Sequence, residues 1–221
     1  MKNSRLFFIG FLVASVGEII SIIGDFQTHY FFKPAIMPML IGFYFTSTEI
    51  RNGTFIRALL FCWAGDVLLM FAQIDQLYFM LGLIAFLIGH LFYIFSFRQF
   101  VWEHEGNLLP TQKVRLVFPV LLAGTGLMVI LYPVLGAMKA PVMFYSIVLM
   151  LMVSYAILRI GRTNKVSFNW VLFGALLFMI SDSILAINKF HSPFSWASIA
   201  IMVTYIAAQF MFVKGVLDHR D

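Results

Sequence analysis

Three acidic residues of this chain, Glu18, Asp66 and Asp182, lie inside long apolar runs, where a carboxyl group has no ordinary reason to be. An ionised side chain at the centre of a bilayer costs about 2.5–3.5 kcal/mol on insertion scales, so three facing lipid would cost on the order of 8–10 kcal/mol. They are therefore expected to face a bundle interior or a wet cavity, or to carry a proton. Where two carboxyls share a shielded site, one of them keeps its proton. Such a pair combines an acid that donates near neutral pH with a base beside it.

The neighbours of these acids form polar stripes at helical spacing. Asp182 and Lys189 are seven residues apart on one stripe, about 10 Å along a helix axis, with Ser181 and Asn188 beside them. Ser15, Glu18, Ser21 and Asp25 line another, and Gly82, Phe86, His90 and Tyr93 a third, where Gly89 permits close helix approach. Each residue also has a plainer reading. The aspartates can serve as interhelical hydrogen-bond partners, Glu18 can hydrate near a surface, and His90 can be a packed core residue. Lys33 and Lys189 can snorkel to the interface as readily as bind a lipid phosphate. Tyr93, Tyr205 and Gln209 read as glue between helices.

The elements that must position these groups follow from composition. Of the 221 residues, 62% are hydrophobic and 11% charged, against roughly 45–50% and 25% in soluble domains. The solvent for such a chain is lipid. The sequence predicts an all-α, polytopic membrane helix bundle, one transmembrane domain over 1–221, with eight spans at 5–24, 33–48, 54–72, 77–97, 115–132, 141–158, 167–187 and 193–213. Pro34 and Pro38 predict an irregular beginning to the second. Loop-like punctuation falls at Gly24-Asp25, Arg51-Asn52-Gly53, residues 103–107 and Gly161 to Lys165. The basic start and first apolar run read as an uncleaved span rather than a signal peptide, because equally apolar segments follow.

Orientation follows from Lys and Arg. With both termini cytoplasmic, Lys2, Arg5, Arg51, Arg57, Arg98, Lys113, Arg115, Arg159, Arg162, Lys165, Lys214 and Arg220 fall inside. Only Lys33, Lys139 and Lys189 fall outside. The net charge of +5 is thereby a topology signal, and nucleic acid is not an expected partner. The Asn52-Gly53-Thr54 sequon would sit idle on that inner side, and the single Cys62 can form no internal disulfide. Lys33 to Met37 resembles Lys139 to Met143, and Ala64 to Leu69 resembles Ile180 to Leu185. Both pairs are four spans apart, which hints at a 4+4 parallel repeat with Asp66 and Asp182 at equivalent positions.

Other chemistries are poorly served. Only His90 among the histidines is embedded, so no metal ligand set is expected, and no cofactor motif, serine elbow or Walker loop occurs. Trp63-Ala64-Gly65-Asp66 followed by Ser181-Asp182 departs in order and in residues from the intramembrane aspartyl proteases, and Pro-Ala-Leu is missing.

Taken together, Lys33-Pro34 with Met37-Pro38, Gly65-Asp66-Val67-Leu68-Leu69-Met70, Gly82-Leu83 with Gly89-His90 and Tyr93, Ser181-Asp182 to Ala186, and Tyr205 with Gln209 resemble the lysoplasmalogenase family of YhhN-like membrane proteins. The likeness covers spans two, three, four, seven and eight; spans five and six carry no motif of it. It implies hydrolysis of the vinyl ether of lysoplasmalogens to a fatty aldehyde and glycerophospho-ethanolamine or -choline, without a metal. Asp66 and Asp182 would then be catalytic. Lys33 or Lys189 would hold the phosphate, His90 and Tyr93 would orient a carboxyl or water, and Glu18, Asn188, Tyr205 and Gln209 would support the site. The partners would be a lysophospholipid within the bilayer and surrounding lipids, and a bacterial inner membrane suits such a chain. The rival readings are a non-catalytic small-solute or lipid transporter and a membrane scaffold.

Overall fold

The computed structural model describes residues 2–102 and 108–219; the expected 103–107 loop and Arg220 lie outside the described residues, as does the Lys2 side chain. All regular structure among them is helical: α1 (Lys2–Ile23), α2 (His29–Ser47), α3 (Gly53–Met70), α4 (Gln76–Gln99), α5 (Pro110–Leu131), α6 (Lys139–Ile157), α7 (Lys165–Phe190) and α8 (Ala197–Leu217), with a 3-10 turn at Gly136–Met138 leading into α6. Each predicted span finds its helix, with α8 displaced by a turn. Seven of the eight helices are long and apolar enough to cross a membrane. The remaining one is α2, diluted by His29, Lys33, two prolines and two tyrosines. The chain divides into two compact units, Met1–Tyr93 and Ile94–Asp221, with the boundary inside α4.

In the first unit α1 and α2 pack closely because glycines leave room for large side chains. A Cβ on Gly10 would fall 2.8 Å from the Met39 sulfur, and one on Gly17 would fall 2.6 Å from the Phe32 ring. Small residues serve this purpose where lipid gives no hydrophobic drive to helix association. The turn between the two helices puts Asp25 at φ 51°, a left-handed conformation that Asp tolerates better than most. Asn52 then starts α3 by accepting the Phe55 N–H at 2.8 Å, a side-chain cap for an otherwise open donor.

The irregular start expected for α2 is not found; the helix runs unbroken through both prolines. Pro38 has no N–H to give, so the carbonyl of Pro34, four residues back, loses its helical partner. Trp63 on α3 supplies the missing donor, its indole Nε1–H reaching the Pro34 oxygen at 2.9 Å. One tryptophan thus repairs the backbone of α2 and fixes α3 against it.

In the second unit α7 and α8 meet at Gly174 and Gly215. A Cβ on Gly174 would stand 3.1 Å from the Ala208 carbonyl oxygen, and one on Gly215 would stand 3.1 Å from the Val171 nitrogen. The Ser167 hydroxyl donates to the Gly215 carbonyl at 2.6 Å across the same contact. Phe97, Phe212, Phe178 and Tyr205 form a chain of ring contacts, centroids 5.3, 6.1 and 5.5 Å apart, that ties α4, α8 and α7.

Gly174→Leu must push against the Ala208 carbonyl as well as the Phe212 ring, and overpacking of that kind costs about 1–3 kcal/mol. Thermal unfolding of the purified protein in detergent is expected to show a lowered Tm for Gly174→Leu. Gly126→Leu, where nothing stands within 4 Å, should match the wild type.

Candidate functional site

Asp66 lies in the last turns of α3 and is 4% exposed. Its depth follows from three glycines. A Cβ on Gly65 would run into the Phe86 ring at 2.6 Å, one on Gly82 into Leu69 at 2.8 Å, and one on Gly89 into the Cys62 sulfur at 3.0 Å. Their absence lets α3 and the first part of α4 approach closely on either side of Asp66. The stripe expected on α4 is real: Gly82, Phe86, Gly89, His90 and Tyr93 are all buried, the last two completely. The Tyr93 ring stands 5.8 Å from Phe55, which in turn contacts Tyr44 at 5.1 Å. Tyr93 is therefore a packing residue as well as a site candidate.

The α1 stripe is divided. Ser15, Glu18 and Ser21 are buried, whereas Asp25 is exposed in the turn. Both serines satisfy their hydroxyls on their own helix, Ser15 at the Phe11 carbonyl and Ser21 at the Gly17 carbonyl, each at 2.7 Å. Glu18 does not hydrate at a surface. It is 2% exposed, and its Oε2 has no hydrogen-bond partner among the described residues. Lys33 on α2, half-buried, is the cation within electrostatic reach of it.

In the second unit Asp182 is half-buried on α7, and its Oδ2 accepts a 2.6 Å hydrogen bond from the Tyr145 hydroxyl of α6. Tyr145 was not legible in sequence, since it is one tyrosine in an apolar helix with no spacing that distinguishes it. Ser181, beside Asp182, donates to the Ile201 carbonyl at 3.0 Å and so ties α7 to α8. Tyr205 and Gln209 are buried on α8, Tyr205 against Phe178. Asn188 accepts the Phe194 N–H at 3.1 Å and shapes the α7–α8 connection. Lys189, next to it, is exposed. Among the described residues no three His, Cys, Asp or Glu side chains gather as a metal site would require.

Arg159, one of the basic residues expected on the cytoplasmic side, is 1% exposed. Its Nε and Nη2 donate to the Phe100 carbonyl at 3.2 and 3.1 Å, and Nη2 also to the Ser167 hydroxyl at 2.8 Å. One guanidinium thereby joins the chain leaving α4 to the start of α7. Burial lowers its pKa to about 10, which leaves it protonated at neutral pH.

These features define a multi-pass integral membrane protein of helices. Residues 28–216 match the sequence profile of the YhhN family, and the chain belongs to that family. Human lysoplasmalogenase TMEM86B is similar at 33% identity over 139 residues, which cover 63% of this chain and 54% of that protein. Human lysoplasmalogenase TMEM86A is 29% identical over 167 residues, covering 74% and 65% respectively. A lysoplasmalogenase of Mycobacterium tuberculosis is 30% identical over 153 residues, covering 65% and 52%. The matched stretches thus span between about half and two thirds of these relatives' lengths. No solved structure matches the chain.

The short bond from Tyr145 has a spectroscopic consequence. Infrared difference spectra against Asp182→Asn isolate the Asp182 carboxyl bands, and Tyr145→Phe is expected to shift them. Bands unmoved by the loss of the hydroxyl would mean that the bond does not form in the membrane protein.

Proposed function

We propose that this protein is a membrane-embedded lysoplasmalogenase, which hydrolyses the vinyl ether bond of an alkenyl-glycerophospho-ethanolamine or -choline to a fatty aldehyde and the glycerophosphodiester. Membership of the YhhN family and the names of its relatives support the reaction class. The observation that carries the role assignment is the hydrogen bond from Tyr145 to Asp182. A carboxylate only accepts, so a phenol donating at 2.6 Å suits an ionised Asp182. That leaves the proton-donating role to Asp66.

The step sequence follows from the chemistry of the bond. Asp66 gives its proton to the vinyl carbon remote from oxygen, and the electrons of the double bond form the new C–H bond. The result is an oxocarbenium ion, which the Asp182 carboxylate stabilises electrostatically. Asp182 takes a proton from water as the water oxygen bonds to the carbon that bears the ether oxygen. The hemiacetal then loses its hydroxyl proton to Asp66 while Asp182 returns its proton to the departing glycerol oxygen, and both acids are restored. Glycosidases meet a similar cation with two carboxyls, though they protonate oxygen.

Lys33 and Lys189 are the candidate phosphate holders, and His90 and Tyr93 the candidates to orient a carboxyl or water. Glu18, Asn188, Tyr205 and Gln209 take supporting roles. The alkenyl chain enters sideways from the bilayer. In this reading α2 is an eighth crossing of one transmembrane domain, both termini are cytoplasmic, and the chain resides in a bacterial inner membrane.

The test is aldehyde release from lysoplasmalogen by detergent-solubilised protein, which has no sealed compartment across which a transporter could work. Asp66→Asn and Asp182→Asn are each expected to lower kcat by about 10², and Tyr145→Phe by about tenfold, the loss of one hydrogen bond to a charged group. Normal turnover by either aspartate variant would refute the assignment of that residue. No aldehyde from the wild type would favour transport.

A further inference from the structure

The end of the second unit where α4 and α6 finish and α5 and α7 begin contains a cavity of about 390 Å3. Arg98, Lys113, Arg159 and Arg162 line it, together with Phe97 and Tyr155. Among its described lining residues there is no acid. The nearby carboxylate of Asp218 is engaged by Lys214 at 2.9 Å. Glu103 and Glu105 lie outside the described residues.

Topology alone would place basic residues at a membrane face, but it asks only for exposed side chains. Here Arg159 is almost wholly buried, and all its described hydrogen bonds go to neutral oxygens, those of Phe100 and Ser167. The Nε of Arg162 is shielded from solvent and has no hydrogen-bond partner among the described residues, while the Arg162 carbonyl is fixed by the Trp102 N–H at 2.7 Å. The Arg98 guanidinium lies 5.8 Å from the Tyr155 ring centre. Buried cations without a counter-charge are costly, and a guanidinium fork matches the oxygens of phosphate.

We propose that this cavity is a phosphate-binding site, which takes either the phosphate of an anionic lipid headgroup or that of a small soluble phosphoester. It is separate from Asp182. Ser167, which Arg159 grips, precedes Asp182 by fifteen residues on α7, about 22 Å at the helical rise. On the reading above, a substrate whose vinyl ether lies at Asp182 holds its own phosphate only a glycerol away, far short of that distance. The cavity therefore serves a second phosphate-bearing molecule.

Native mass spectrometry of the full chain in detergent tests this, with phosphatidylglycerol, phosphatidylcholine and glycerol 3-phosphate as probes. The wild type is expected to retain phosphatidylglycerol over phosphatidylcholine if the source is lipid, or glycerol 3-phosphate if it is soluble. In either case Arg162→Gln and Lys113→Gln should each weaken retention about tenfold, the scale of one charged hydrogen bond, and Arg162→Lys, which keeps the charge but not the fork, should restore only part of it. Lys113 is exposed, so Lys113→Gln keeps the test valid even if Arg162→Gln fails to fold. No preference for either phosphate probe, or equal retention by wild type and folded variants, would overturn the proposal. Binding is read without turnover, so its failure and failure of the catalytic reading are distinguishable.

Discussion

The backbone polar groups of the membrane-spanning helices must find their partners inside the protein, because hydrocarbon offers none. That constraint explains the organisation of both units. It makes the backbone helical, sends serine hydroxyls back to carbonyls of their own helix, and turns each proline into a demand on a neighbour. The Pro34 carbonyl, released by Pro38, is met by the Trp63 indole. A helix that sequence rules would break is kept whole by a side chain from the next one, and the repair also sets the packing of α2 against α3.

The same constraint gives the acidic residues their character. Glu18 and Asp66 are nearly inaccessible, while Asp182 is half-buried and held by a phenol. Close helix approach at Gly65, Gly82 and Gly89 encloses Asp66. A tyrosine from α6 orients Asp182. Two different devices thus serve two carboxyls, glycine gaps in the first unit and a hydrogen-bond donor in the second. Different surroundings are what two acids need if they are to take different roles in one reaction.

Arginine illustrates how one residue type divides its work. Arg98, in the last turn of α4, has its side chain exposed, whereas Arg159 is drawn inside to bind the Phe100 carbonyl and Ser167. The guanidinium can do this because its fork satisfies several acceptors at once. The charge it brings into the interior adds to those of Arg98, Lys113 and Arg162 around the adjacent cavity.

What the sequence determined by itself was the set of helices and the oddity of the acids. Long apolar runs can only be helices in lipid, and a carboxyl within one stands out at once; the buried stripe of Gly82, Phe86, His90 and Tyr93 was legible for the same reason of periodicity. The tertiary structure decided the partners. Tyr145 for Asp182, Trp63 for Pro34, and Phe100 with Ser167 for Arg159 join residues 37, 29, 59 and 8 positions apart. Most of these contacts lie far beyond helical periodicity, and even the Arg159–Ser167 contact crosses from the end of one helix to the start of the next. Such pairings depend on which faces of two helices meet, and in helices apolar on nearly every side the faces carry little pattern from which to read it.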